Sequence, residues 1–138
     1  MHAPEARLKL RPRPPFTGEM GAAFPSLLNR LVAALEAAHL ALQSGQSEEG
    51  NLALQHAFAL LGALYATLDS GRHPELSDYL QTVYDRCLQR IGEARPGRCD
   101  GLRVAIVLLR QIGSAERGAH DRGWREEAPS FGARAQTL

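Results

Sequence analysis

The chain has 138 residues, of which 44% are hydrophobic and 22% are charged, and its formal net charge is +1. This length and composition suit a single globular domain with its own core. The near-neutral charge, with no predicted helix carrying a clustered basic face, disfavours nucleic-acid binding. No apolar run is long enough for a membrane span, and the N-terminus lacks the apolar region of a signal peptide. We therefore expect a cytosolic protein with no nucleic-acid partner and no stable membrane insertion.

Residues 1–20 are predicted to form a disordered N-terminal tail. Four of the eight prolines fall within the first fifteen residues, among four basic side chains. Proline disrupts both helices and sheets, so this composition predicts an extended lead-in. The folded domain is expected over residues 21–117.

The first two helices are predicted at residues 24–43 and 49–69. In the first, leucines and alanines recur every three or four residues until Gly45 ends the pattern. The second keeps an apolar stripe for two heptads and assigns Ala57 and Phe58 together to one core position. Both stripes indicate amphipathic helices that pack on a shared core.

Two further helices are predicted at residues 75–94 and 101–116. The third closes at a Pro-Gly pair, and Asp100 is a suitable N-cap for the fourth, whose apolar stripe ends at Gly113. From about residue 118 the periodicity is lost, which predicts a flexible C-terminal tail over residues 118–138.

The four stripes together predict the fold class. No strand-like alternation of apolar and polar residues interrupts them, and the connections between them are short. Short connections favour antiparallel neighbours. We therefore expect an all-α protein, an antiparallel up-down four-helix bundle with flexible N- and C-terminal tails.

Enzyme and metal signatures are absent from the sequence. The five histidines form no HxxxH pair, and no phosphate-binding or serine-hydrolase motif occurs. We expect no catalytic residues, no metal and no cofactor. A phosphotransfer domain centred on His56 stays an alternative, although Ala59 and Leu60 occupy the positions where that family has Lys and Gly. Cys87 and Cys99 fit a reducing compartment, and a single bridge between them stays open.

Several segments occur in an order that is familiar from one protein family. The run that ends at Leu68-Asp69 is followed by a glycine-containing loop, and Leu80 and Tyr84 then share one helix face. The matching segments are Leu64–Asp69, Leu80–Tyr84, Leu108–Ile112 and Ala38–Gly45. Taken together, residues 24–116 resemble the flagellar secretion chaperone family (FliS type).

The resemblance implies a partner and a mode of binding. The client would be the C-terminal segment of flagellin, which is disordered in the monomer and would fold as an amphipathic helix in a groove of the bundle. Contact with the flagellar export gate and a homodimer are left open. Candidates for the flagellin-binding groove are Leu64, Leu68, Leu80, Val83, Tyr84 and Cys87.

Two alternatives accompany this interpretation. Most of the groove candidates could simply be core residues, since leucine and tyrosine at helical spacing usually are. The bundle could also be an interaction or regulatory module with a different partner. For the aromatic set that includes Phe58 and Tyr65, core packing is favoured and a place in the binding surface stays open.

Overall fold

In a computed structural model of the protein, the described residues are 23–69 and 71–127, with side chains described as far as Ala119. Within these ranges the chain forms four α-helices and no strand. The N-terminal tail predicted for residues 1–20 lies outside the described residues. The helices are α1 Ala23–Gln43, α2 Ser47–Ala66, α3 Pro74–Glu93 and α4 Gly101–Glu127.

The prediction that the last helix ends at residue 116 is wrong, because α4 continues to Glu127. Gly113 does not end the helix but lies where α4 passes α1: a Cβ atom here would be 3.4 Å from Cδ2 of Leu28. Residues 118–127, predicted as the start of the flexible C-terminal tail, are therefore helical. Residues 128–138 lie outside the described residues.

The four helices pack in a ring in chain order. α1 packs most extensively on α2 and also contacts α4, while α3 contacts α4 and, least extensively, α2. The diagonal pairs meet marginally at most. This arrangement confirms the predicted antiparallel up-down bundle. The α2–α3 edge and the α4–α1 edge consequently lie on opposite sides of the molecule.

One continuous core fills the centre of the ring. Apolar stripes of all four helices contribute to it, and Leu31, Leu64, Tyr84 and Leu109 are each fully buried. Burial of a large apolar side chain contributes about 1.5–3 kcal/mol, so these stripes supply the main driving force for the fold. None of the four helices, over the residues described, has the length and hydropathy needed to cross a membrane.

The turns between the helices follow from local sequence. Gly45 ends α1 with a φ of 79°, and its N–H donates to Leu42 O at 3.2 Å while the N–H of Gln46 donates to Ala41 O at 2.8 Å. This is a Schellman motif, which needs the left-handed conformation that glycine adopts freely. After α2, the Asp69 carboxylate accepts a hydrogen bond from the Arg72 N–H at 3.2 Å, as expected of a turn former.

Candidate functional site

The six groove candidates lie on α2, on α3 and in the turn after α2. Leu68 is partly buried, and the other five are buried in the core: Leu64, Leu80, Val83, Tyr84 and Cys87. In this arrangement the bundle itself covers those five side chains. Their burial agrees with the alternative that most of the candidates are core residues, and their part in client binding stays a prediction.

A tyrosine pair and an aspartate join the last turn of α2 to the middle of α3. The Tyr65 ring packs edge-on against Tyr84, with ring centroids 5.3 Å apart. The Tyr65 hydroxyl donates a hydrogen bond to the Asp85 carboxylate. Burial, together with that hydrogen bond and the charge of Asp85, raises the pKa of Tyr65, so its hydroxyl stays protonated as a donor. These contacts fix the spacing between the last turn of α2 and the middle of α3.

Two apolar side chains remain exposed along the same edge. Phe58, which is 59% exposed, lies two turns before Tyr65 on the same face of α2. Leu88, which is 38% exposed, lies one turn after Asp85 on α3. Because the two helices are antiparallel, moving back along α2 and forward along α3 leads towards the same end of the bundle. Phe58 and Leu88 therefore border the least extensive helix contact of the ring.

Two helical glycines accompany these side chains. Gly62 lies one turn after Phe58, and Gly92 lies one turn after Leu88. A Cβ atom at either glycine would meet no atom within 4 Å, so neither glycine is required by the packing of the bundle. Glycine inside a helix costs about 1 kcal/mol relative to alanine. The edge is thus open to close approach of another chain.

We call this strip the α2–α3 seam and define it by Phe58, Gly62, Tyr65, Asp85, Leu88 and Gly92. Sequence reasoning favoured the core for Phe58 and left a place in the binding surface open, because its stripe could pass through either Ala57 or Phe58. Ala57 is fully buried and occupies the core position, which turns Phe58 outwards. Gly62 and Gly92 could have pointed to this seam in the sequence, since each glycine interrupts a helical pattern that an alanine would have strengthened.

The seam offers contact rather than reactive groups. Burial raises the pKa of the Cys87 thiol to about 12, so it is neither nucleophilic nor charged near neutral pH. Cys87 and Cys99 are both free and buried. His56 is exposed on α2. Over the described part of the chain, no group of three or more His, Cys, Asp or Glu residues could hold a metal ion.

A comparison with models of protein families matches residues 23–115 to the family described as Flagellar protein FliS. The matched range contains α1, α2 and α3 in full and α4 as far as Ala115, so it includes the whole α2–α3 seam. No curated protein and no solved structure matches the chain.

Proposed function

Because the chain belongs to the FliS family of flagellar export chaperones, we propose that it binds the C-terminal region of flagellin in the cytosol. Bound in this way, flagellin cannot polymerise before export, and its secretion through the flagellar type III system is assisted. The protein acts by holding a polypeptide, without catalysis and without a cofactor.

The observation that carries this proposal is the exposed apolar pair of the α2–α3 seam. Phe58 and Leu88 are large side chains left accessible beside the least extensive helix contact of the bundle. An amphipathic client helix would cover them with its own apolar stripe, at i, i+3 or i+4, and i+7. Full burial of an exposed apolar side chain contributes about 1.5–3 kcal/mol, and the client would gain the share that corresponds to the 59% of Phe58 and the 38% of Leu88 still exposed, before the cost of its own ordering.

The glycines of the seam add a geometric reason for a helical client. With no side chain at Gly62 and no atom near its Cβ position, a helix backbone can approach α2 more closely there than over any larger residue. Gly92 allows an equally close approach to α3, because no atom lies within 4 Å of its Cβ position. We further propose that the buried candidates, Leu64 and Tyr84 among them, contribute indirectly, because their packing in the core holds α2 and α3 in the arrangement that leaves the seam accessible.

The proposal is tested by titrating the protein with monomeric flagellin in a calorimeter. We expect one-to-one binding to full-length flagellin, no binding to flagellin that lacks its C-terminal segment, and slower filament assembly when the protein is present. Absence of binding to the full-length monomer would contradict the proposal. Contact with the export gate and homodimerisation remain separate predictions.

A further inference from the structure

The exposed surface of α4 carries a second regular stripe, on the side of α4 that borders α1. Its residues are spaced by four, three, four and three positions, which is the heptad spacing of a helix–helix contact. All five side chains are exposed: Arg103, Val107, Arg110, Ser114 and Arg117. We call them the α4 outer stripe. Successive arginines, seven residues apart, are separated by about 10.5 Å along the helix axis.

The exposed charges that α4 itself contributes to this face have one sign. From residue 101 to residue 119, the part of α4 whose side chains are described, the one acidic residue is Glu116, and it is buried. The exposed charges there are therefore all arginines. On the other side of the bundle, α2 carries Glu48 and Glu49 with no Lys or Arg. Glu36 of α1 pairs with Arg110, and the charges that α4 itself exposes beside it are arginines, which matches this surface to an acidic partner.

A groove lined by both apolar and polar side chains adjoins the stripe. It lies between α1 and α4, has a volume of about 430 Å³, and has Val32, Leu109 and Gly113 among its lining residues. Arg110 and Arg117 of the outer stripe also line it. Arg110 forms an exposed ion pair with Glu36 across the groove. Exposed ion pairs contribute little to stability, so a partner carboxylate can replace Glu36 at small cost.

From these observations we propose that the α4 outer stripe and the α1–α4 groove bind an acidic amphipathic helix of a partner protein. Carboxylates at seven-residue spacing on that helix pair with the arginines, and apolar residues between them cover Val107 and enter the groove. The site goes beyond the proposed flagellin site, because the α4–α1 edge lies across the bundle from the α2–α3 seam. A client and this second partner can therefore be bound together.

The test uses a synthetic helical peptide of about 21 residues, three heptads, with glutamates at seven-residue spacing and leucines between them. A peptide of the same composition with scrambled positions is the reference. By fluorescence anisotropy, the spaced peptide should bind at least about tenfold more tightly than the scrambled one, a difference of about 1.4 kcal/mol. Binding should weaken as salt is added. Equal binding of the two peptides would overturn the proposal.

A pair of double variants with equal net charge locates the site. Arg103→Gln/Arg117→Gln should weaken binding of the spaced peptide at least about tenfold, and Arg30→Gln/Arg72→Gln, which lies away from α4, should leave it unchanged. All four arginines are exposed, so both variants should keep their helicity by circular dichroism. An equal loss in both variants would contradict a specific site.

Two further outcomes would contradict an acidic-helix site. Tighter binding of single-stranded polyuridylate than of the spaced peptide, lost in Arg103→Gln/Arg117→Gln, would assign the stripe to nucleic acid. Self-association at low salt that this variant abolishes would assign it to a second copy of the chain. Flagellin titrated into the same variant should bind as it does to the unmodified protein, which separates this proposal from the one for the α2–α3 seam.

Discussion

The ring of Tyr65 stands edge-on to the ring of Tyr84, with centroids 5.3 Å apart and planes inclined by 71°. The two hydroxyls differ in their surroundings. Tyr65 donates to Asp85 at the surface, whereas the Tyr84 hydroxyl is buried with no hydrogen-bond partner among the described residues. Such edge-to-face ring pairs contribute about 0.5–1.5 kcal/mol of stability beyond the burial of apolar area, so the two rings hold α2 and α3 together. The buried Tyr84 hydroxyl, by contrast, lowers the stability of the fold.

We expect Tyr84→Phe to raise the free energy of unfolding by about 1 kcal/mol, because it removes a buried hydroxyl without a partner and keeps the ring pair. Urea denaturation followed by circular dichroism measures the change. Tyr65→Phe is the matched control. It removes a hydroxyl that donates to Asp85, so it should not raise the free energy of unfolding. Loss of stability in Tyr84→Phe would show that the hydroxyl is bonded in solution.

Two helical glycines should respond in opposite directions to the same substitution. A Cβ atom at Gly50 would lie 2.5 Å from Cδ2 of Leu42, a buried side chain, whereas Gly62 has open space. Gly50→Ala should therefore destabilise by about 1–3 kcal/mol through overpacking, and Gly62→Ala should stabilise by about 1 kcal/mol through helix propensity. The midpoint temperature of thermal unfolding, measured for both variants, reports these changes in stability. If both midpoints shift in the same direction, the placement of α2 on α1 is contradicted.

Stability should fall as the solution becomes alkaline. Burial raises the pKa of the Cys87 thiol from 9.0 to about 12. Burial also raises the pKa of the Tyr84 hydroxyl. As pH rises past 9.0, the unfolded thiol loses its proton while the folded one keeps it, which favours the unfolded state until the pH passes about 12. Urea denaturation between about pH 8 and about pH 11 should show a steady decline. The decline should be shallower in Cys87→Ala, and an identical slope would contradict a buried thiol.

The variant Leu80→Glu tests whether Leu80, one of the six groove candidates predicted from the sequence, is a core residue or part of an accessible groove. Leu80 is 1% exposed, so the variant must bury a carboxylate among apolar side chains. We expect loss of helicity by circular dichroism, as well as loss of client binding. A variant that stays helical and loses binding alone would instead make Leu80 part of an accessible groove.

The helices could be predicted from the sequence because apolar periodicity records which residues face a core. Leu61, at the centre of the strongest stripe, is 1% exposed as its position required. Periodicity does not record how tightly two stripes meet, so it could not decide between the core and the binding surface for Phe58. The length of α4 was also missed, because a glycine at a close helix contact, Gly113, has the same sequence appearance as a glycine that ends a helix.

The α2–α3 seam as the flagellin site is tested most directly by two glutamate substitutions on the same helix. Phe58 and Leu52 are exposed to similar extents, 59% and 62%, but Leu52 lies six residues before Phe58 and therefore about 120° away around α2. Both Phe58→Glu and Leu52→Glu should stay folded by circular dichroism. Calorimetric titration with flagellin should show binding weakened at least about tenfold in Phe58→Glu, because a carboxylate must be desolvated against the client, and unchanged in Leu52→Glu. Equal affinity of the two variants for flagellin would contradict the α2–α3 seam as the client site.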